Sequence, residues 1–107
     1  MATPIGVNME KQTKKIADLR EGDNAIVEAD VLEVFEVKDI VKKDGSRISM
    51  QEVLIDDGSA GINLKLWGDK VNTLKPNQKI KVSGYVSSFK GAFGISTGKY
   101  GKIEVIR

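Results

Sequence analysis

Gly61-Ile62-Asn63-Leu64-Lys65-Leu66-Trp67 is the stretch that decides the fold. Ile62, Leu64 and Leu66 alternate with Asn63, Lys65 and Trp67, and a period of two puts the two sets on opposite faces of a β-strand. One face is apolar and calls for burial. The other carries an amide, an ammonium group and an indole. Alternation alone leaves Trp67 open between an outward ring and a core ring, because a bulge at the strand end reverses the faces.

Upstream, Arg47 to Asp56 reads as strand two, joined to strand three at Gly61 to Trp67 through Asp56-Asp57-Gly58-Ser59. Asp-Asp-Gly-Ser between two apolar runs is hairpin chemistry rather than a carboxylate site. In Ala25 to Val37 the apolar positions Val27, Ala29 and Val31 alternate, and then the phase shifts to Leu32 and Val34. Such a shift predicts a bulge or sharp bend, which a small barrel requires of its first strand. Lys38 to Ser46 closes on Asp44-Gly45 and reads as a mobile loop between the first and second strands, with Lys43 and Arg47 near its tip.

Downstream, Asp69 to Leu74 predicts a short helix bounded by Pro76. Lys79 to Phe89 alternates again, with Ile80, Val82 and Val86 on one side and Lys79, Lys81, Tyr85 and Phe89 on the other. Lys90-Gly91 turns the chain into a short strand in which Phe93 alternates with Ile95 and is assigned to the core. Lys102 to Ile106 closes the order. Residues 1–15 read as a mobile basic leader, and Ile16 to Glu21 as a lead-in turn that tucks Ile16 and Leu19 under the domain. The expected fold is all-β: a five-stranded Greek-key barrel of the OB type over residues 16–107, with one short helix between strands three and four.

Composition removes several function classes. The chain has no cysteine and no histidine, so disulfides, thiolate zinc sites and Ser-His-Asp or Cys-His catalysis are impossible within it. Neither an enzyme nor a cofactor is expected. No apolar run is long enough for a membrane span or a secretory signal, so the expected setting is cytoplasmic and nucleoid-associated, without membrane contact. Net charge is only +2, and the informative quantity is its distribution. From Asn63 onward Lys65, Lys70, Lys75, Lys79, Lys81, Lys90, Lys99, Lys102 and Arg107 face only Asp69 and Glu104.

If Ile62, Leu64 and Leu66 are inside, Trp67, Tyr85 and Phe89 point out, interleaved with lysines. Exposed rings stack on nucleobases for about 1–3 kcal/mol each, and lysines neutralise phosphates with release of counterions. Lys65, Lys81 and Lys90, with Lys43 and Arg47 from the neighbouring loop, are the candidate cations. Tyr100 stays open between a stacking residue and a loop anchor.

The ordered set Val31-Leu32-Glu33, Lys43-Asp44-Gly45, Leu64-Lys65-Leu66-Trp67-Gly68-Asp69, Leu74-Lys75-Pro76-Asn77-Gln78, Gly84-Tyr85-Val86-Ser87-Ser88-Phe89-Lys90-Gly91 and Thr97-Gly98 resembles archaeal single-stranded DNA-binding proteins. It is similar also to the SOSS-type proteins of the replication protein A lineage. That resemblance implies stacking on DNA bases at Trp67, Tyr85 and Phe89, and so favours the outward tryptophan. It implies single-stranded DNA as the partner, with low sequence preference, in replication or repair alongside other proteins of those pathways, for a chain that is a monomer in isolation. An RNA- or tRNA-binding OB module and a protein-interaction OB domain are the alternatives. The chain departs from the family at Asp57-Gly58-Ser59-Ala60, where relatives have Asp-x-Thr-Gly, and between Lys79 and Gly84, where it is one residue shorter. A third departure is Ser96, where relatives carry a further aromatic. Single-barrel members run on into a tail, so the expectation is one module of a longer chain.

Overall fold

A computed structural model of the chain describes residues 13–89, 92–97 and 101–106, with the side chain of Phe89 outside the described set. Seven strands follow in chain order: β1 (Asn24–Val34), β2 (Lys38–Val41), β3 (Arg47–Asp56), β4 (Gly61–Trp67), β5 (Lys79–Phe89), β6 (Ala92–Ser96) and β7 (Lys102–Val105). They form one sheet in the order β1-β3-β4-β6-β5-β7, with β2 added to β3. Since β1 also pairs with β5, the strands β1, β3, β4, β6 and β5 close into a cycle of pairings. β4 and β6 run parallel; the other pairs are antiparallel.

The inward face is the one that period-two alternation selects. Val27, Ala29 and Val31 from β1, Val53 and Ile55 from β3, and Ile62, Leu64 and Leu66 from β4 are buried. They meet Ile80, Val82 and Val86 from β5 and Ile95 from β6. Each large aliphatic side chain removed from water stabilises the fold by about 1.5–3 kcal/mol before entropy is counted. The register of β1 on β3 slips between Val31 and Glu33, where the apolar phase changes, and Leu32 is left outside. A 3-10 turn at Ile16–Asp18 buries Ile16 and Leu19 against the same core. Residues 1–12, most of the expected leader, lie outside the described set; next to them the Lys14 N–H donates to the Ile26 carbonyl at 2.7 Å.

Two sequence expectations change. Lys38 to Ser46 is a β-ribbon rather than a loop: β2 pairs with β3 from Lys38↔Met50 to Val41↔Arg47. Its turn is closed by Lys42 N–H to the Ser46 carbonyl at 2.7 Å, by Gly45 at φ 88° and by Asp44 Oδ1, which accepts from the Ser46 N–H and hydroxyl. Four residues with two charges carry too little apolar periodicity to announce a strand. The helix expected over Asp69–Leu74 is only a 3-10 turn at Gly68–Lys70. Gly68 at φ 64° and Asn72 at φ 62° are left-handed, and neither end can propagate an α-helix. With the ribbon counted, and the short strand through Phe93 and Ile95 and the closing strand standing separately as β6 and β7, the described residues hold seven strands and not five.

A buried amide that alternation alone does not single out holds the segment after β4. Gln51, only 3% exposed, accepts the Asn72 N–H at 2.8 Å and donates to the Phe35 carbonyl at 2.9 Å. It satisfies the backbone on both sides of β3, which a buried apolar residue would leave unpaired.

Asp57 ties the lead-in turn to the β3–β4 hairpin. Its Oδ2 accepts the Ile16 N–H at 2.8 Å, and its Oδ1 accepts the Ser59 hydroxyl at 2.6 Å and the Ser59 N–H at 2.9 Å. Burial works against its ionisation, but these bonds and that of Ala60 outweigh it and draw the pKa from 3.8 to about 2. A carboxylate whose folded pKa is depressed stabilises fully above its unfolded pKa, and the contribution disappears as pH falls through the folded value. Asp57 therefore contributes up to about 2 kcal/mol, lost between about pH 4 and pH 2. Acid unfolding of Asp57→Asn compared with wild type measures it: the wild type should be the more stable above pH 4, and the difference should shrink toward pH 2. A difference independent of pH over that window counts against the assignment.

Candidate nucleic-acid interface

The outer face of β3, β4, β6 and β5 is a grid set by register, because directly paired residues share a face with Cβ atoms about 5 Å apart. One row runs Lys38, Met50, Trp67. The next runs Glu52, Lys65, Ser96, Tyr85, and the third Leu54, Asn63, Gly94, Ser87. Rows are about 7 Å apart along the strands. Trp67 is thus on the outer face, half-buried, with its indole N–H donating to Ser96 Oγ at 2.9 Å. The bond swings the ring from the end of β4 across β6, toward Tyr85, which pairs with Ser96 and is 50% exposed. Thr97 fixes the same edge, its N–H and hydroxyl both donating to the Lys65 carbonyl.

Lys65 is brought together with Trp67 and Tyr85; other candidate cations are not. Lys81 lies in register between Glu28 and Glu104, four residues along β5 from Tyr85, where two carboxylates offset its charge. Lys43 and Arg47 are exposed on the β2–β3 ribbon, beyond the Trp67 end of the face. Phe89 ends β5 opposite Ala92, and its side chain lies outside the described residues, as do Lys90 and Tyr100.

Phe93 is a correction. It shares a face with Ile95, as alternation requires, yet it is 46% exposed and lines a surface groove with Lys65 and Ser87. Parity gives a strand's face but not how far the strand runs past the packed core, and Phe93 sits beyond that limit. Lys38 was passed over too. Its place opposite Met50 follows only once β2 is recognised as a strand.

Among solved structures the chain is similar to the second OB-fold domain of replication protein A from Methanococcus maripaludis. The TM-score is 0.79, over 90% of this chain and 96% of that one, at 24% identity. The fold is an OB-fold. A second OB domain, from Thermoplasma acidophilum, matches with a TM-score of 0.77 over 89% of this chain and 87% of that one, at 22% identity. In sequence, this OB-fold chain is 28% identical over 92 residues to the single-stranded DNA binding protein Ssb of Saccharolobus solfataricus. The aligned region is 84% of this chain but 62% of that relative, so the chain spans under two thirds of its length. No protein-family model matches the sequence. Among the described residues no helix of this OB-fold is long and apolar enough to cross a membrane.

Proposed function

We propose that this chain is a non-enzymatic module that binds single-stranded DNA with low sequence preference on the outer face of β3, β4, β6 and β5. The reading rests on one observation: Trp67 and Tyr85 lie outward on either side of Ser96, with Lys65 in the same row. A strand laid across β4, β6 and β5 from Trp67 to Tyr85 stacks successive bases on the two rings, while Lys65 and the ribbon cations Lys38, Lys43 and Arg47 take the phosphates. The cycle of five strands acts as the OB barrel, with β2 and β7 as additions to it. Residues 16–107 are the binding domain and the preceding basic residues a leader. The likeness to Ssb and to a replication protein A domain supports a nucleoid-associated role in the cytoplasm, in replication or repair.

Trp67 is the single tryptophan, so its fluorescence reports on the site. Oligothymidine should quench it, and the affinity should fall as salt rises. With about three phosphates neutralised and a slope of about −0.7 for each on a single strand, a tenfold rise in salt lowers affinity about a hundredfold. Unchanged emission at saturating DNA removes Trp67 from the site, and a flat salt response removes the phosphate contacts. A matched RNA strand binding more tightly than DNA turns the assignment to an RNA-binding module.

A further inference from the structure

Gly84 and Gly94 both interrupt strands, and the fold accounts for only the first. A Cβ on Gly84 would stand 2.5 Å from the Ser96 carbonyl oxygen, whereas a Cβ on Gly94 would meet only the Asn63 carbonyl oxygen, at 3.4 Å. Gly94 does not have the left-handed φ that would exclude a side chain. A glycine inside a strand packs nothing, loses more entropy on folding than any other residue, and often marks the close approach of a ligand. In the grid its missing side chain leaves an open floor between Asn63 and Ser87.

That floor belongs to a groove of about 190 Å³ lined by Glu52, Asn63, Lys65, Ser87, Phe93 and Gly94 among others. At about 30 Å³ per water it has room for about six waters, or one flat heterocycle. Phe93, next to Gly94 in β6, borders it at one end, while its side chain belongs to the face of Ile95. Among the described residues the side-chain hydrogen bonds beside the groove are those of Trp67 with Ser96 and of Thr97, and the one ion pair, Lys14 with Asp23, is elsewhere. Among the described residues the Glu52 carboxylate has no hydrogen-bond or ion-pair partner, and both oxygens face the groove's ligand space unclaimed by them.

We propose that the groove over Gly94 is a base-reading subsite for guanine, with Glu52 as its acceptor. The inference rests on the proposed binding of single-stranded DNA, and adds one selective position to an otherwise sequence-tolerant path. An ionised carboxylate only accepts, through two oxygens side by side. The pairing edge of guanine offers two adjacent donors, N1–H and the N2 amino group, so both oxygens are used in charge-assisted bonds. Adenine and cytosine offer one amino donor beside a ring nitrogen that repels the second oxygen. Thymine sets a single N–H between two carbonyls, both of which the carboxylate repels. Lys65, directly opposite Glu52, has three N–H donors, one of them placed for guanine O6 and the others left for a phosphate. In a single strand this edge is unpaired and free to be read.

The test titrates the full chain with oligothymidines in which one central base is thymine, guanine, cytosine or adenine. The guanine strand should bind at least about fivefold more tightly than the all-thymine strand. Glu52→Gln should bring that ratio close to one, because the amide replaces one acceptor by a donor. Gly94→Val, which fills the floor with a side chain suited to a strand, should also erase the preference while the unfolding temperature stays the same or rises. All-thymine strands that bind as well as the guanine strand overturn the subsite and leave the DNA-binding function standing. A guanine preference that survives both substitutions places the reading elsewhere and overturns it too. Failure of every strand to bind removes the function and the subsite together.

Discussion

Trp67→Ala and Tyr85→Ala should each weaken binding of oligothymidine by about 1–3 kcal/mol, about 5- to 160-fold, and leave the protein folded. The rings lie on the outer face, so neither deletion opens a cavity among the buried residues of the core. Phe93→Ala should likewise leave the protein folded, since its ring is 46% exposed. Ile95→Ala is the contrasting control: Ile95 is fully buried, and truncating it should cost about 2–5 kcal/mol of stability through lost transfer energy and the cavity left behind. Binding isotherms and thermal melts on the four variants decide the matter together. At about 4–8 °C per kcal/mol for a domain near this size, an outward-ring variant should melt within a few degrees of wild type. If Phe93→Ala unfolds while Ile95→Ala does not, the end of β6 is turned over and the proposed face is wrong.

Gly84→Ala should destabilise the protein by about 3 kcal/mol, although it adds only a methyl group. Its Cβ would lie 2.5 Å from the Ser96 carbonyl oxygen, 3.0 Å from the Ser96 carbonyl carbon and 3.1 Å from Ile95 Cγ1. Two of the three are backbone atoms of β6, which cannot move without disturbing its pairing with β4 and β5. Gly84 stands where β5 passes from pairing with β1 and β7 to pairing with β6, a corner at which a bare backbone lets the strands come close. Overpacking in so tight a place costs at the upper end of its usual range of about 1–3 kcal/mol. Urea unfolding of the variant measures the loss, and a midpoint equal to that of wild type shows that β6 can shift to admit the methyl group.

Most of the fold was legible because its signals are local and periodic. Alternation in Gly61–Trp67 and Lys79–Phe89 fixed both the strands and their inward faces, and the phase shift at Val31–Leu32 located the break in register between β1 and β3. What escaped depended on partners distant in sequence. β2 is recognisable only beside β3, and Gln51 is buried because Phe35 and Asn72 come to it from 16 and 21 residues away. Trp67 and Tyr85 were legible as outward rings. Ser96, which holds the indole, read only as the absence of an aromatic, since nothing in one strand reports a hydrogen bond from another.

The pairing of β1 with β5 also dictates an order of assembly. It joins residues from Asp30 and Lys79, 49 positions apart, to Asn24 and Tyr85, 61 apart, while the β2–β3 ribbon closes between Val41 and Arg47, six apart. Closing a loop ten times longer costs about 2 kcal/mol more entropy, so the ribbon can form early and the seam comes late. Tyr85 stands at the end of that seam and also at the start of the pairing with β6. Trp67, Ser96 and Tyr85 share one outer face, and the Tyr85 end of it is completed when that late seam closes. A chain whose seam is still open presents this face incomplete at Tyr85, so affinity for a single strand also reports on whether folding has finished.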